Sequence, residues 1–337
     1  MRPENSTSVP SLRSLRLAPL ALGLAGGLLL LAAPAAADFR LEKRLALSPG
    51  GELLVETAGG SVTVTPGSGD GALVVITSES DKSKIDERYT LELSSEGNRA
   101  RVINKRRPGF SHWFDWGRTP SLHFEITVPR STHADVKSSG GGIRVSGLSG
   151  NARLRSSGGA VRAFDLIGNV DASSSGGGVE VRRIQGNVDV GSSGGGVDVE
   201  KVTGNVVAES SGGGVDVIDV AGDVDASSSG GGVDIEGVGG RVTAESSGGP
   251  VSAVLRADNS AGGNLSSSGG GVSVNVDPSA RLSIDASSSG GSVSCDLPVR
   301  REGKASRTSL RGDLNGGGAP LRVRSSGGGI RIRSSNG

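Results

Sequence analysis

The sequence predicts an all-β fold: a single-stranded β-solenoid (β-helix) built of two-strand coils of about 18 residues, a right-handed coil being favoured. Three observations lead there. The motif Ser-Ser-Gly-Gly recurs at Ser138, Ser156, Ser174, Ser192, Ser210, Ser228 and Ser246, a step of 18 residues each time. Apolar residues fall into fixed columns two apart, which is strand spacing with one face buried. Composition agrees: 58 of 337 residues are Gly and aromatics make up 2%, too few for an ordinary enzyme core.

With Ser138 as position 1, the columns read down the repeats. Position 6 holds Ile143, Val161, Val179, Val197, Val215 and Val233; position 8 holds Val145, Ala163, Val181, Val199, Val217 and Ile235. Positions 15 and 17 repeat the pattern with small aliphatics, as in Val188 and Val190. The residues between are charged or hydroxylated, so the opposite face is wet. Gly168 and its equivalents at position 13 imply a positive φ or a close backbone approach at a corner. The following column, Asn151, Asn169, Asn187, Asn205 and Asp223, is spaced for side-chain amides to bond along the stack. A single unit cannot bury its own apolar face, so the coils must stack.

The chain is read in four parts. Residues 1–37 are expected to be a cleaved signal peptide. Arg2, Arg13 and Arg16 precede an apolar run from Leu17 to Leu31, and Ala35-Ala36-Ala37 offers a small-x-small cleavage site. Residues 38–136 alternate without the 18-residue step and read as irregular β coils and a cap, with an aromatic loop at 105–120. Residues 137–295 are the regular repeats, continued past Ser246 by Ser267 and Ser288 at a step of 21. Residues 296–337 carry Pro298 and Pro320, an insertion, the last coil at Ser325 and a cap, with Arg322, Arg324, Arg331 and Arg333 guarding the end.

The order of these elements resembles the exported β-strand-repeat family labelled "putative adhesin", and is similar to head-GIN auto-transporter-adhesin domains. The residues that carry the resemblance are Gly59-Gly60-Ser61-Val62-Thr63-Val64, Ile126-Thr127-Val128-Pro129-Arg130, the serial Ser-Ser-Gly-Gly coils and Leu310-Arg311-Gly312-Asp313-Leu314-Asn315-Gly316-Gly317. It covers nearly all of 40–337 and implies a β-solenoid outside the cytoplasmic membrane, with no enzyme activity and no catalytic residues.

Four of the eight aromatics, Phe110, Trp113, Phe114 and Trp116, lie within seven residues. With His112, and with Lys105, Arg106, Arg107 and Arg118 around them, they are the candidate ligand or partner contact. Rings beside cations suit a sugar face, a headgroup region or another protein; packing against the end of the solenoid is the competing role. Glu180, Asp198, Asp216 and Asp234 share position 7 and stack on the wet face, read as solvated charges. His112, His123 and His133 have no metal-ligand spacing, and the sole cysteine, Cys295, reads as an inward-pointing apolar residue. No catalytic residue, cofactor or metal is expected. A net charge of +1 gives no grip on nucleic acid, and no span remains in a membrane once the signal is cleaved.

These readings converge on a non-catalytic exported protein, periplasmic, cell-surface or secreted. It would bind or space envelope polysaccharide or another surface protein. A protein-partner or envelope-stress sensor module is the alternative, and a polysaccharide-acting β-helix enzyme a lesser one, since coils of 18 residues leave little chain for a cleft.

Overall fold

The alternation of inward apolar and outward polar residues is realised as two long sheets facing each other across a core of Val, Ala, Leu and Ile. In this computed structural model the described residues are 38–108, 120–256, 259, 261–304 and 306–335. One sheet has 14 strands and the other 15. Each regular coil gives one strand to each, for example Val179–Gln185 to the first and Val188–Ser192 to the second. Neighbouring coils pair in parallel with an 18-residue offset, Val179 opposite Val197 and Val188 opposite Val206. That register puts every apolar column on the inside, where position 6 and 8 residues are almost completely buried.

Three backbone devices make the coil. The first serine of each Ser-Ser-Gly-Gly is buried. Ser192 Oγ accepts the Gly195 N–H at 2.9 Å and donates to the Gly177 carbonyl of the preceding coil at 2.9 Å. The same pair of bonds recurs at Ser156, Ser174, Ser210, Ser228 and Ser246. A second device sits at position 10, where Asp165, Arg183, Lys201 and Asp219 are left-handed with φ of 57–58° and Gly147 and Gly237 occupy the same column. This residue is skipped in the ladder, so the strand turns its corner there. The third is the position 13 glycine. Its main requirement is closeness: a Cβ on Gly168 would lie 2.7 Å from the Gly150 carbonyl oxygen.

Along the asparagine column each Oδ1 accepts the backbone N–H of the next rung. Asn169 N–H donates to Asn151 at 2.9 Å, Asn187 to Asn169 at 3.0 Å and Asn205 to Asn187 at 2.9 Å. His133 Nδ1 starts the column by accepting the Asn151 N–H at 3.0 Å, so its neutral ring carries the proton on Nε2. Side chain to backbone, rather than amide to amide, is the bond that forms.

The coils do not follow one another in chain order at the ends, which corrects the sequence reading. Ser267 and Ser288 do not belong to adjacent coils. The last coil of the chain, Ala319–Ser325 with Ile330–Ser334, is inserted between them. Ser325 Oγ donates to Gly270 O at 2.9 Å, and Ser288 Oγ donates to Gly328 O at 2.7 Å, so the serine ladder runs unbroken through the inserted coil. Arg322 and Arg324 therefore do not guard an end. Arg324 instead reaches the next coil outward, 2.8 Å from Asp285 on Leu282–Ser288, and holds the Asp285 carboxyl below its usual range. The cap is Ser309–Leu314, antiparallel to Leu282–Ser288, with the short Arg300–Arg301 strand beyond it. The reason is physical. A coil with ladder chemistry on both faces gains most where both faces are paired, while the segment around Pro298 cannot continue a parallel stack.

The other end is built the same way. The coil Glu52–Thr57 and Ser61–Gly67 lies between His133–Ser138 with Ile143–Ser146 and the later coil Arg99–Arg106 with His123–Pro129. Antiparallel strands Phe39–Leu45, Ala72–Ser78 and Tyr89–Glu96 close the edges. A short helix absent from the sequence reading, Lys82–Arg88, connects the two sheets here and carries Ile85 into the core.

Candidate functional site

The aromatic contact predicted from sequence, Phe110, His112, Trp113, Phe114 and Trp116, lies outside the described residues. Its two roots are described. The Arg107 N–H donates to Arg88 O at 2.8 Å, and Arg107 Nε reaches Tyr89 O at 3.4 Å. On the far side Tyr89, itself buried, points its hydroxyl at Pro120 O at 3.5 Å. Both ends of the segment are thus tied to the same antiparallel strand.

Beside the first root lies a groove of about 640 Å³ in the second sheet. It runs across the C-terminal ends of five neighbouring strands, from Arg99–Arg106 through Glu52–Thr57, His133–Ser138 and Ala152–Ser156 to Val170–Ser174. At about 4.8 Å per coil its length is roughly 19 Å. Lys105, Arg106, Lys137 and Arg155 line it against a single carboxylate, Glu56. The second serines of successive pairs, Ser139, Ser157 and Ser175, are exposed along it at one hydroxyl per coil.

Asn104 stands at the inner wall in the column that serines fill elsewhere, opposite Thr57, which is opposite Ser138. It is 2% exposed. Its Nδ2 donates to Thr57 Oγ1 at 3.1 Å and to Gly59 O at 3.4 Å. Its Oδ1 has no hydrogen-bond partner among the described residues, although buried polar atoms are nearly always paired.

A second groove of about 620 Å³ follows the asparagine ladder at the opposite ends of these strands. Its walls are Asp135, Asp171, Asp189, Arg153 and Val207, so its character is acidic and partly apolar. On the first sheet, Glu180, Asp198, Asp216 and Asp234 do stack in register. Glu180 is held by Arg162 at 3.1 Å and Arg182 at 3.0 Å. Burial, then the neighbouring Asp198 and Asp234, pushes the Asp216 carboxyl above its usual range. Among the described residues no group of three or more His, Cys, Asp or Glu side chains is arranged to hold a metal ion.

The remaining candidates are structural. His123 Nδ1 meets Ser61 Oγ at 2.8 Å across adjacent strands. Cys295 is half-buried on an edge strand, and burial pushes its thiol pKa up. Sequence reading overlooked the buried serine as a functional part of the coil. Its signal was present: the first serine never varies among the repeats, as a merely solvated corner would allow.

A family model described as Toastrack DUF4097 matches residues 51–333 of this chain. No curated protein matches it. Among solved structures, a "putative cell adhesion protein" from Clostridium sporogenes shares 12% identity at a TM-score of 0.25, over 88% of this chain and 100% of its own. A "putative adhesin" from Bacteroides fragilis shares 13% at 0.34, over 88% and 98%. A "putative lipid binding protein" from Parabacteroides distasonis shares 12% at 0.26, over 88% and 97%.

Proposed function

The chain belongs to the Toastrack DUF4097 family, and on that footing we propose that it is an exported, non-catalytic β-solenoid whose surface binds a component of the cell envelope. The observation that carries this reading is the basic, hydroxyl-lined groove beside the root of the aromatic segment. Cations and ranked hydroxyls suit a polysaccharide better than a flat protein partner. The segment with Phe110, His112, Trp113, Phe114 and Trp116 is proposed as the second half of that contact.

Two further features support it. The regular coils spend nearly all their residues on strands and tight corners, leaving little chain to build a catalytic cleft. Export rests on the basic start, the apolar run and the Ala35-Ala36-Ala37 site; among the described residues no helix is long and apolar enough to cross a membrane.

The test is co-sedimentation of purified protein with insoluble envelope polysaccharide at low and high salt. Retention that weakens at high salt without being lost is the expected result, because screening removes the contribution of the cations and leaves the hydroxyl bonds. No retention at either salt sinks the reading and leaves a spacer or protein-partner role.

A further inference from the structure

We propose that the groove walled by Asn104, Lys105, Lys137 and Arg155 is a subsite for an anionic polysaccharide strand, a polymer that carries both acid groups and free hydroxyls. The inference rests on the binding role proposed above and adds the ligand class and the contacts.

Charge selects the acid groups. The lining has four cationic side chains to one carboxylate. Three of them hold partners in solvent-exposed ion pairs. Lys137 stands 3.8 Å from Glu56, Lys105 3.9 Å from Glu92, and Arg155 3.0 Å from Asp171, all with roughly half their side chains in water. Exposed pairs of this kind are worth about 0–1 kcal/mol, so exchanging a neighbouring carboxylate for one on a ligand costs little.

Hydroxyl recognition comes from the backbone repeat. Ser139, Ser157 and Ser175 offer one donor-acceptor group per coil, at about 4.8 Å spacing along the groove. An extended polymer laid across the coils meets the same group at each step. Simple polyanions without hydroxyls can only accept from these serines, while a hydroxylated polymer can also donate to them.

Asn104 sharpens the choice. In every regular coil its column is filled by a serine whose oxygen both donates and accepts. An asparagine here satisfies Thr57 and Gly59 with its Nδ2 and leaves Oδ1, itself out of contact with solvent, as an acceptor lacking a donor among the described residues, just behind the groove wall. Leaving such an atom unpaired is costly. On binding, Oδ1 must turn into the groove, where a ligand O–H can donate to it and a carboxylate cannot.

The experiment measures binding of the purified protein to three soluble probes: polygalacturonate (acidic, hydroxylated), dextran (neutral, hydroxylated) and polyacrylate (acidic, without hydroxyl or amide donors). Polygalacturonate is expected to bind tightest. The exposed double reversal Lys137→Glu with Arg155→Glu should weaken it by about tenfold or more with Tm unchanged. Asn104→Ser, which restores the residue used in the other coils, should cut the preference for polygalacturonate over polyacrylate by roughly three- to tenfold, the worth of one hydrogen bond. Polyacrylate binding as tightly as polygalacturonate would overturn the proposal. So would polygalacturonate or dextran binding that ignores the double reversal, though carbohydrate binding elsewhere on the solenoid would then survive. Binding of none of the three removes both this subsite and the polysaccharide reading on which it stands.

Discussion

Gly195→Ala is expected to lower stability by about 3 kcal/mol, and Tm by about 6 °C or more, whereas Gly191→Ala in the same coil leaves it unchanged or raises it by up to about 1 kcal/mol. The two glycines are four residues apart and chemically identical. They differ in what stands beside them. A methyl on Gly195 would lie 2.5 Å from the Gly178 nitrogen and 2.7 Å from the Gly177 carbonyl carbon. That is about 1 Å inside van der Waals contact, and the obstructing atoms are backbone, which cannot rotate away.

Relief requires the coils to part at the corner where the Gly195 N–H donates to Ser192 Oγ and the Gly195 carbonyl accepts from Ser210 Oγ. The strain therefore reaches the buried serine ladder on both sides. At Gly191 the nearest atom to an added methyl is the Glu209 carbonyl oxygen at 3.9 Å, an ordinary contact on the wet face of the strand. Thermal melts of the two variants decide the matter. Equal effects would mean that glycine serves flexibility here rather than close approach.

Removing residues 319–337 is expected to cost far more than the loss of a terminal coil. Leu321, Val323, Ile330 and Ile332 are buried, and the coil they form is flanked on both faces. Burial of those four side chains alone is worth roughly 6–12 kcal/mol. In the second sheet Leu282–Ser288 reaches the rest of the stack only through Ala319–Ser325. Its antiparallel partner Ser309–Leu314 depends on it in turn. Amide exchange of the truncated protein should show residues 282–314 losing protection together, while the middle coils, Val179 to Ser246, keep theirs. Protection of 282–314 that survives truncation would show that this segment docks without the inserted coil.

How much of this was legible in the sequence depends on whether one residue type or a relation between distant residues carries the information. The columns through Val179, Val197 and Val215 were readable because burial forces an aliphatic at each turn of a fixed period. The asparagine column was readable for the same reason, though not which of its atoms bond. The left-handed corner was hidden, because Arg183 and Lys201 occupy it as well as Gly147 and Gly237, and charged residues give no hint of positive φ. The helix Lys82–Arg88 was hidden because a single apolar residue, Ile85, shows no period.

Coil order at the ends was not readable in principle from the motif. Ser267, Ser288 and Ser325 carry the same ladder chemistry, so any of their coils can stack on any other, and the antiparallel cap decides which lies outside. The groove was invisible for a related reason. Asn104, Lys137 and Arg155 come from separate coils and meet only because the coil bearing Asn104 lies outside the one that precedes it in the chain.

The interleaved coil at the C-terminal end sets the cap, and one cross-linking measurement tests it most directly. In a Cys295→Ser background, Asn264→Cys is paired with either Arg322→Cys or Asp285→Cys, all three positions lying at least partly in water. Asn264 is in register with Arg322, and Arg322 with Asp285. Neighbouring strands are about 4.8 Å apart, within disulfide reach, and strands two steps apart about 9.6 Å, beyond it. The structure predicts rapid, near-complete oxidation of the 264–322 pair and none within the 264–285 pair. Bridging of 264 to 285 with 264 and 322 left free would mean that the coils stack in chain order, and would contradict the architecture described above.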